Sequence, residues 1–287
     1  VPSTRDIRRR IKSVKNTAQI TKAMQMVAAS KMRKAQQGAL AGHPYAALLN
    51  RVLVSLHGRV NPALHPLLEE RPINKELVLV LTTDKGLCGA LNTNLLREAA
   101  KFDPEKTVFV TVGRKGKQFL ARARRTILAD FELPDHPTFL QTKLVSKFLV
   151  EKFLAREVDK VTILFSRFVN TLNQEPHAPT LLPITALPVN ADMEADQPGP
   201  DAAQFIFEPD EEKVLDAILP YYIHFGVYQA VLDQRASEHS ARMVAMKNAT
   251  DNAKQLVKDL TLEYNKVRQA AITSELLEIT TAQMALE

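Results

Sequence analysis

The stretch Met243–Ser274, MVAMKNATDNAKQLVKDLTLEYNKVRQAAITS, decides the architecture. Apolar or small residues recur at alternating spacings of three and four: Met243, Met246, Thr250, Ala253, Val257, Leu260, Tyr264, Val267, Ala271 and Ser274. That is a seven-residue repeat held over about four heptads, the pattern of a helix that buries one narrow stripe against a partner. A repeat of 3.5 residues per turn is shorter than the 3.6 of a straight helix, so the predicted supercoil is left-handed. The final proline is Pro220 and the final glycine is Gly226, so nothing after them breaks the helix. At 1.5 Å per residue the segment from Val227 onward would be roughly 90 Å long, too long for the inside of a compact domain of this mass. A projecting rod is expected.

Working outward, the partner stripe lies at the other end of the chain. Ser3 to Gln37 contains neither Gly nor Pro, and Ile7, Ile11, Val14, Ala18, Thr21, Met24, Ala28, Met32 and Ala35 repeat at the same spacings. Ser3 or Thr4 is placed to cap this helix, with Asp6 in its first turn. Gly38, Gly42 and Pro44 are expected to loosen or kink it before it resumes through Ala46–Leu56. Some 150 residues of different character separate the two stripes, so an antiparallel pair needs the simpler connection. The C-terminal helix is the longer, and part of it is expected to run past its partner.

Between them the period changes. Glu76–Thr83 and Thr107–Val112 are short β-rich apolar runs, each followed by glycines and a helix, over Asn92–Lys101 and through Arg124. Thr126–Asp130 is a third candidate strand and Thr138–Glu157 an amphipathic helix. Lys160–Asn170 and Thr180–Val189 are expected to pair through a turn at Asn173–Pro176. Strand, helix, strand, helix indicates a doubly wound, Rossmann-like α/β domain. Ala191–Ala203 is acidic with Pro and Gly and reads as a loop. Pro209 then suits the start of the last helix, with Asp210, Glu211 and Glu212 at its positive end. The expected fold class is therefore α/β plus a long antiparallel two-helix coiled coil, with the α/β domain inserted between its helices. The expected bounds are 1–58 for the N-terminal helix, 73–190 for the α/β domain, 191–208 for the loop and a short apolar segment, and 209–287 for the C-terminal helix.

Composition narrows the function classes. With 45% hydrophobic and 24% charged residues among 287, this is an ordinary folded chain, and its 6% aromatics, absent Trp and 9 Gly suit a helix-rich molecule with a thin core. The single cysteine, Cys88, excludes an intrachain disulfide and a cysteine metal cage. No apolar run approaches the ~18 residues of a membrane span. There is no phosphate-loop motif, GxGxxG or HExxH, and the seven histidines are scattered without helix-spaced partners. The loop Thr83–Ala90 (TDKGLCGA) follows the first strand, where open α/β sheets take phosphates. A nucleotide site with Lys85 on a phosphate competes there with a plain strand-to-helix turn, and the turn is preferred because no fingerprint accompanies it.

The charge pattern is more informative. Arg5, Arg8, Arg9, Arg10, Lys12, Lys15, Lys22, Lys31, Arg33 and Lys34 share the N-terminal helix with one acid, Asp6, within a net charge of +6. Such a face attracts an acidic partner. Nucleic acid is one candidate, although aromatics for stacking on bases are missing. After Arg268 there is no further Lys or Arg, and Ile272, Leu276, Leu277, Ile279 and Leu286 would stand exposed on a lone helix. An apolar patch of that size implies a protein surface around it.

Three long motifs are also familiar. Ile20–Gln36 (ITKAMQMVAASKMRKAQ), Met246–Ala253 (MKNATDNA) and Tyr264–Ile279 (YNKVRQAAITSELLEI) closely resemble the terminal signatures of the gamma subunit of F-type ATP synthases. The Asp84–Gly89 loop and Phe205–Pro209 (FIFEP) match in place, so the resemblance runs from end to end. Lys85 stands where that family often has Arg, Phe205 and Phe207 where tyrosine is frequent, and the cysteine-bearing insertion of chloroplast members is absent. The resemblance implies a non-catalytic rotor shaft without a cofactor. It would turn inside a ring of alpha and beta subunits, with an α/β foot on the c-subunit ring beside an epsilon-type subunit. Carried over position by position, Arg8, Arg9, Met24, Arg242, Arg268, Gln269, Thr273 and Glu275 would meet the alpha/beta ring. Phe205, Phe207 and Glu208 would meet the c ring. The implied location is peripheral, on the cytoplasmic face of a bacterial inner membrane or, alternatively, the matrix side of a mitochondrial one. Two rivals remain at this point: a basic coiled-coil nucleic-acid binder, and a nucleotide-dependent enzyme built on the α/β domain.

Overall fold

The strand Glu76–Leu81 (β1) carries an unbroken apolar run after Glu76, and those five side chains are all buried. A strand without alternation needs cover on both faces, which a parallel sheet flanked by helices supplies. In the computed structural model, which describes residues 3–57, 65–184 and 210–284, β1 is central. Helix α1 (Thr4–His57) precedes it. Then follow α2 (Leu91–Ala100), β2 (Thr107–Val112), α3 (Arg114–Arg122), β3 (Ile127–Phe131), α4 (Phe139–Leu154), β4 (Lys160–Phe168), β5 (Gln174–His177), β6 (Thr180–Leu182) and α5 (Glu211–Met284). The sheet order is β3-β2-β1-β4-β5, with β6 on β4. The pairs β1·β2, β2·β3 and β1·β4 are parallel, which is the beginning of the doubly wound order.

The period-two pleat divides the core. Val78 and Val80 of β1 face the layer of α2 and α3, among Leu95, Ala99, Phe109 and Leu120. Leu77, Leu79 and Leu81 face the other layer, with Val145, Leu149 and Phe153 of α4. Leu215, Leu219, Ile223 and Val227 of α5 join that second cluster. The chain clusters into two units: one contains 30–241, and the other joins 1–29 to 242–287. The C-terminal helix thus begins as a core element of the α/β unit, a role its sequence did not disclose. Asp210 caps it, its carboxylate accepting from the Lys213 N–H at 2.8 Å.

Two sequence expectations are corrected. Helix α1 is not interrupted at Gly38–Pro44 but runs on as one helix with Pro44 inside it. The glycines serve contact with α5: a Cβ on Gly42 would sit 3.1 Å from Gln229 Oε1 and 3.2 Å from Phe225 Cζ. Tyr45 stacks edge-on to Tyr221 and tilted on Phe225, at 5.6 and 5.3 Å between ring centres, so packing outweighs the hydrogen bond that Pro44 removes. The expected turn at Asn173–Pro176 instead carries β5, antiparallel to β4. The turn lies earlier, where Asn170 Oδ1 accepts from the N–H groups of Leu172 and Asn173 at 2.9 and 2.8 Å. Asparagine turn chemistry sets its position, and a polar, proline-bearing edge strand gives no apolar signal. The expected strand Thr180–Val189 is described as far as β6; its end, the 191–203 loop and Pro209 lie outside the described residues.

Candidate functional site

The loop after β1 is a turn held by its own side chains. Thr83 Oγ1 donates to the Lys85 carbonyl at 2.7 Å and accepts from Asn92 Nδ2 at 2.8 Å. Asn92 Nδ2 also lies 3.3 Å from the buried Cys88 sulfur. Asp84 Oδ1 accepts from the Arg114 N–H at the start of α3, at 3.1 Å. The crevice beyond the carboxyl ends of β1 and β4, where open α/β sheets take ligands, is filled by α5. Gln234, Arg235, Ser237, Glu238, His239 and Ser240 are all buried. Gln234 Oε1 accepts from the Ser166 N–H at 2.7 Å and Ser237 Oγ donates to the Ser166 carbonyl at 2.8 Å. Arg235 binds Glu238 at 2.9 Å and the Leu133 carbonyl at 2.9 Å, and lies 3.8 Å from Asp84. A helix of this chain therefore takes the place a nucleotide would need. Among the described residues no group of His, Cys, Asp or Glu is arranged to hold a metal.

Beside this plug, burial pushes the Asp233 carboxyl up to about 6, against a weaker downward pull from Arg167. An acid raised in the folded state keeps its proton while the unfolded chain has lost it, so its cost appears as pH rises from about 4 to 6. Asp233→Asn is expected to stabilise the chain at pH 7.5 by about 3 kcal/mol, with the gain vanishing below pH 4. Urea unfolding at both pH values checks this.

The other unit is the two-helix seam. Ser3 Oγ caps α1, accepting from the Asp6 N–H at 3.2 Å and donating to the Asp6 carboxylate at 2.7 Å. Ile7, Thr21 and Ala28 are buried against Met246, Thr250, Ala253 and Leu260 of α5. Ile11, Val14, Ala18, Met243, Val257, Tyr264 and Val267 are half-buried on the same stripes. Two contacts fix an antiparallel register. The Thr21 and Thr250 hydroxyls meet at 2.7 Å inside the seam. Arg8 donates to the Tyr264 hydroxyl at 2.7 Å and lies over its ring at 5.5 Å. Small side chains at Ala18, Thr21, Thr250 and Ala253 let the backbones approach, at the cost of apolar area. Thr250→Val alone removes the Thr21 hydroxyl's partner across the seam, leaving it the Ala18 carbonyl at 3.2 Å, and is expected to cost roughly 1 kcal/mol, whereas the pair Thr21→Val with Thr250→Val is expected to be near neutral. Thermal unfolding of the three variants decides.

The same register explains where the seam stops. Positions that face each other sum to 271 or 272, so Thr4, the first residue of α1, faces the region of Val267–Arg268. Ala271 and Ser274, expected in the stripe, are exposed; among the described residues no partner helix reaches them. From Arg268 to Gln283 every residue is exposed, including Ile272 at 48%, Leu276 at 59%, Leu277 at 61% and Ile279 at 63%.

The sequence-predicted contact residues divide accordingly. Arg268, Gln269, Thr273 and Glu275 lie together on the bare end of α5, with Thr273 Oγ1 donating to the Gln269 carbonyl at 2.9 Å. Arg8 and Arg9 are exposed near the start of α1, Arg8 already engaged with Tyr264. Met24 and Arg242 are half-buried farther along the pair. Arg5, Arg10, Lys12, Lys15 and Lys22 extend the basic face. Lys31 does not belong to it, because its ammonium binds Asp135. Phe205, Phe207, Glu208 and Leu286 lie outside the described residues. The interior plug on α5 was not found from sequence; its only signal was the polar run Asp233–Ser240 inside a helix expected to be amphipathic.

A family model described as ATP synthase matches residues 3–286. A protein of Methylacidiphilum infernorum called ATP synthase gamma chain is 52% identical over 99% of both chains. A protein of Opitutus terrae with the same name is 52% identical, over 99% of this chain and 98% of its own. Among solved structures, a chain in the cryo-EM structure of the Euglena gracilis mitochondrial ATP synthase, with OSCP, F1 and c-ring, superposes with a TM-score of 0.69 at 21% identity. It covers 99% of this chain and 94% of its own.

Proposed function

Because this chain belongs to the gamma-chain family of ATP synthases, we propose that it works as the central rotor shaft that couples ion-driven rotation to the catalytic alpha/beta sites. It is a non-catalytic subunit of an enzyme complex. The observation that carries the reading is the bare end of α5: a helix that leaves its partner at Val267 and presents four large apolar side chains in its next three turns. Exposed apolar area of that kind is stable when a protein sleeve surrounds it.

The mechanism follows from asymmetry. Three catalytic sites around a shaft are chemically alike, but the two-helix shaft presents a basic flank and an apolar tip unequally to them. Rotation changes which site the shaft favours, and a ligand or partner shifts an equilibrium only through such unequal contacts. Arg268 and Gln269 are suited to hydrogen-bond loops of the ring, with charge assistance from the arginine. Arg8, Arg9, Met24, Arg242, Thr273 and Glu275 are the remaining contacts assigned to the alpha/beta ring. Phe205, Phe207 and Glu208 are assigned to the c ring, and an epsilon-type subunit to the foot beside it. The segments 1–58 and 209–287 form the shaft in this reading, 73–190 the foot, and 191–208 the loop between foot and shaft.

The chain is associated peripherally with a membrane. No helix among the described residues is long and apolar enough to cross one. The bacterial relatives favour the cytoplasmic face of an inner membrane. The basic flank, which alone would suit nucleic acid, then faces acidic protein loops. Native mass spectrometry of the chain with matching alpha and beta subunits tests this. One copy per six-subunit ring, with ATP hydrolysis by the same sample, is the expected result. A chain that binds DNA or nucleotide by itself and never joins the ring would overturn it.

A further inference from the structure

The polar plug contains a second arrangement, built around the turn that follows β3. Asp135 accepts a hydrogen bond from the Lys31 ammonium of α1 and lies 3.5 Å from His239 Nε2 of α5. One residue earlier in the same turn, the carbonyls of Leu133 and Pro134 accept from Arg235 of α5 at 2.9 and 3.3 Å. Arg235 is in turn braced by Glu238 at 2.9 Å, with Asp84 at 3.8 Å. One turn of the α/β unit therefore grips both long helices by charge-assisted bonds.

The position of the grip along the chain gives it meaning. All these residues belong to the unit formed by 30–241. Lys31 follows the first crossing between units, at 29/30, by one turn or less, and His239 precedes the second, at 241/242, by the same margin. Among the described residues, α1 and α5 are the elements whose chain runs on from this unit into the other. Its arginine and histidine are nearly inaccessible to solvent, and for the arginine a buried, paired charge is screened little and loss of one partner is costly. Close-packed interiors transmit strain, so a turn bonded to both helices inside this unit passes load between them.

We propose that the Leu133–Asp135 turn is a torque clamp: Asp135, the positioning residue, holds α1 through Lys31 and stands beside His239 of α5, while the Leu133 and Pro134 carbonyls hold α5 through Arg235, so that both helices are locked to the parallel sheet. This rests on the rotor reading. The clamp makes no contact with nucleotide; it sets how stiffly rotation of the foot reaches the shaft.

The test uses the assembled alpha–beta–gamma complex, immobilised by its ring, with a bead on a cysteine introduced at the exposed Glu105 (Glu105→Cys). In a paused complex the angular variance of the bead reports torsional stiffness. Lys31→Met, which keeps the aliphatic stem and removes the charge, is expected to raise the variance roughly twofold, because one of two anchors acting in parallel is released. Asp135→Asn is expected to raise it at least as much. Lys31→Arg, which keeps the charge, is expected to match the unsubstituted complex. Unchanged variance in Lys31→Met and Asp135→Asn complexes that assemble and hydrolyse ATP would overturn the clamp alone. Failure of the unsubstituted chain to join the ring would overturn the rotor reading, and the clamp with it.

Discussion

A chain truncated after Arg268 is expected to fold as stably as the full chain yet to bind the alpha/beta ring roughly a thousandfold more weakly, with coupled ATP synthesis lost. The two halves of this expectation have different causes. Nothing from Gln269 to Gln283 is buried, so removing it exposes no core and creates no cavity. In a sleeve, however, Ile272, Leu276, Leu277 and Ile279 would each bury part of a large apolar side chain, contributing about 1 kcal/mol apiece. Together that is about 4 kcal/mol, and each 1.4 kcal/mol is tenfold in affinity. Thermal unfolding of the isolated chain and native mass spectrometry of the mixture measure the two halves separately. Reduced stability would mean that the tip packs on its own chain. Undiminished assembly and synthesis would move torque transfer down to the seam.

The second large effect concerns the α/β unit. Gly113→Ala is expected to destabilise it by roughly 3 kcal/mol or more, whereas Gly86→Ala is expected to change little. Gly113 has φ of +98°, and a Cβ there would meet the Thr82 carbonyl oxygen at 2.3 Å and Thr82 Oγ1 at 2.9 Å. Backbone strain of this kind costs roughly 1–3 kcal/mol, and overpacking against backbone roughly as much again. The neighbour cannot yield. Thr82 donates its N–H to the Val112 carbonyl at 2.8 Å, and its hydroxyl accepts from the Gly116 N–H at 2.8 Å. At Gly86 nothing lies within 4 Å of the added atom. Urea unfolding followed by circular dichroism compares the two variants, and equal small losses would show that the β1–α3 approach tolerates a side chain.

Much of the molecule was legible because its periods are strong. The three-and-four stripes of both terminal helices, the apolar runs at Glu76–Leu81 and Thr107–Val112, and the bare end of the last helix are all properties of residues near one another in sequence. They determined the helix pair, the doubly wound sheet and the need for a surrounding partner. Where the chain departed from expectation, a distant contact decided. Gly42 and Pro44 read as a loosening or kink of α1, but the helix runs through them, with Phe225 and Gln229 of α5 packed close to Gly42. Asn173–Pro176 read as a turn, but Gln174–His177 pairs with β4.

The sequence by itself determined the long helices, the parallel strands and where the apolar tip begins, since composition and period are local. Only the tertiary structure decided that the seam stops at Val267, since that depends on the register set by Thr21 with Thr250 and Arg8 with Tyr264. It alone decided that the first part of α5 belongs to the sheet's core and fills the crevice beside Ser166 and Asp84. A helix pattern says which face is apolar, but not which buried polar groups will find partners more than 60 residues away; those hydrogen bonds exist only once the chain has closed on itself.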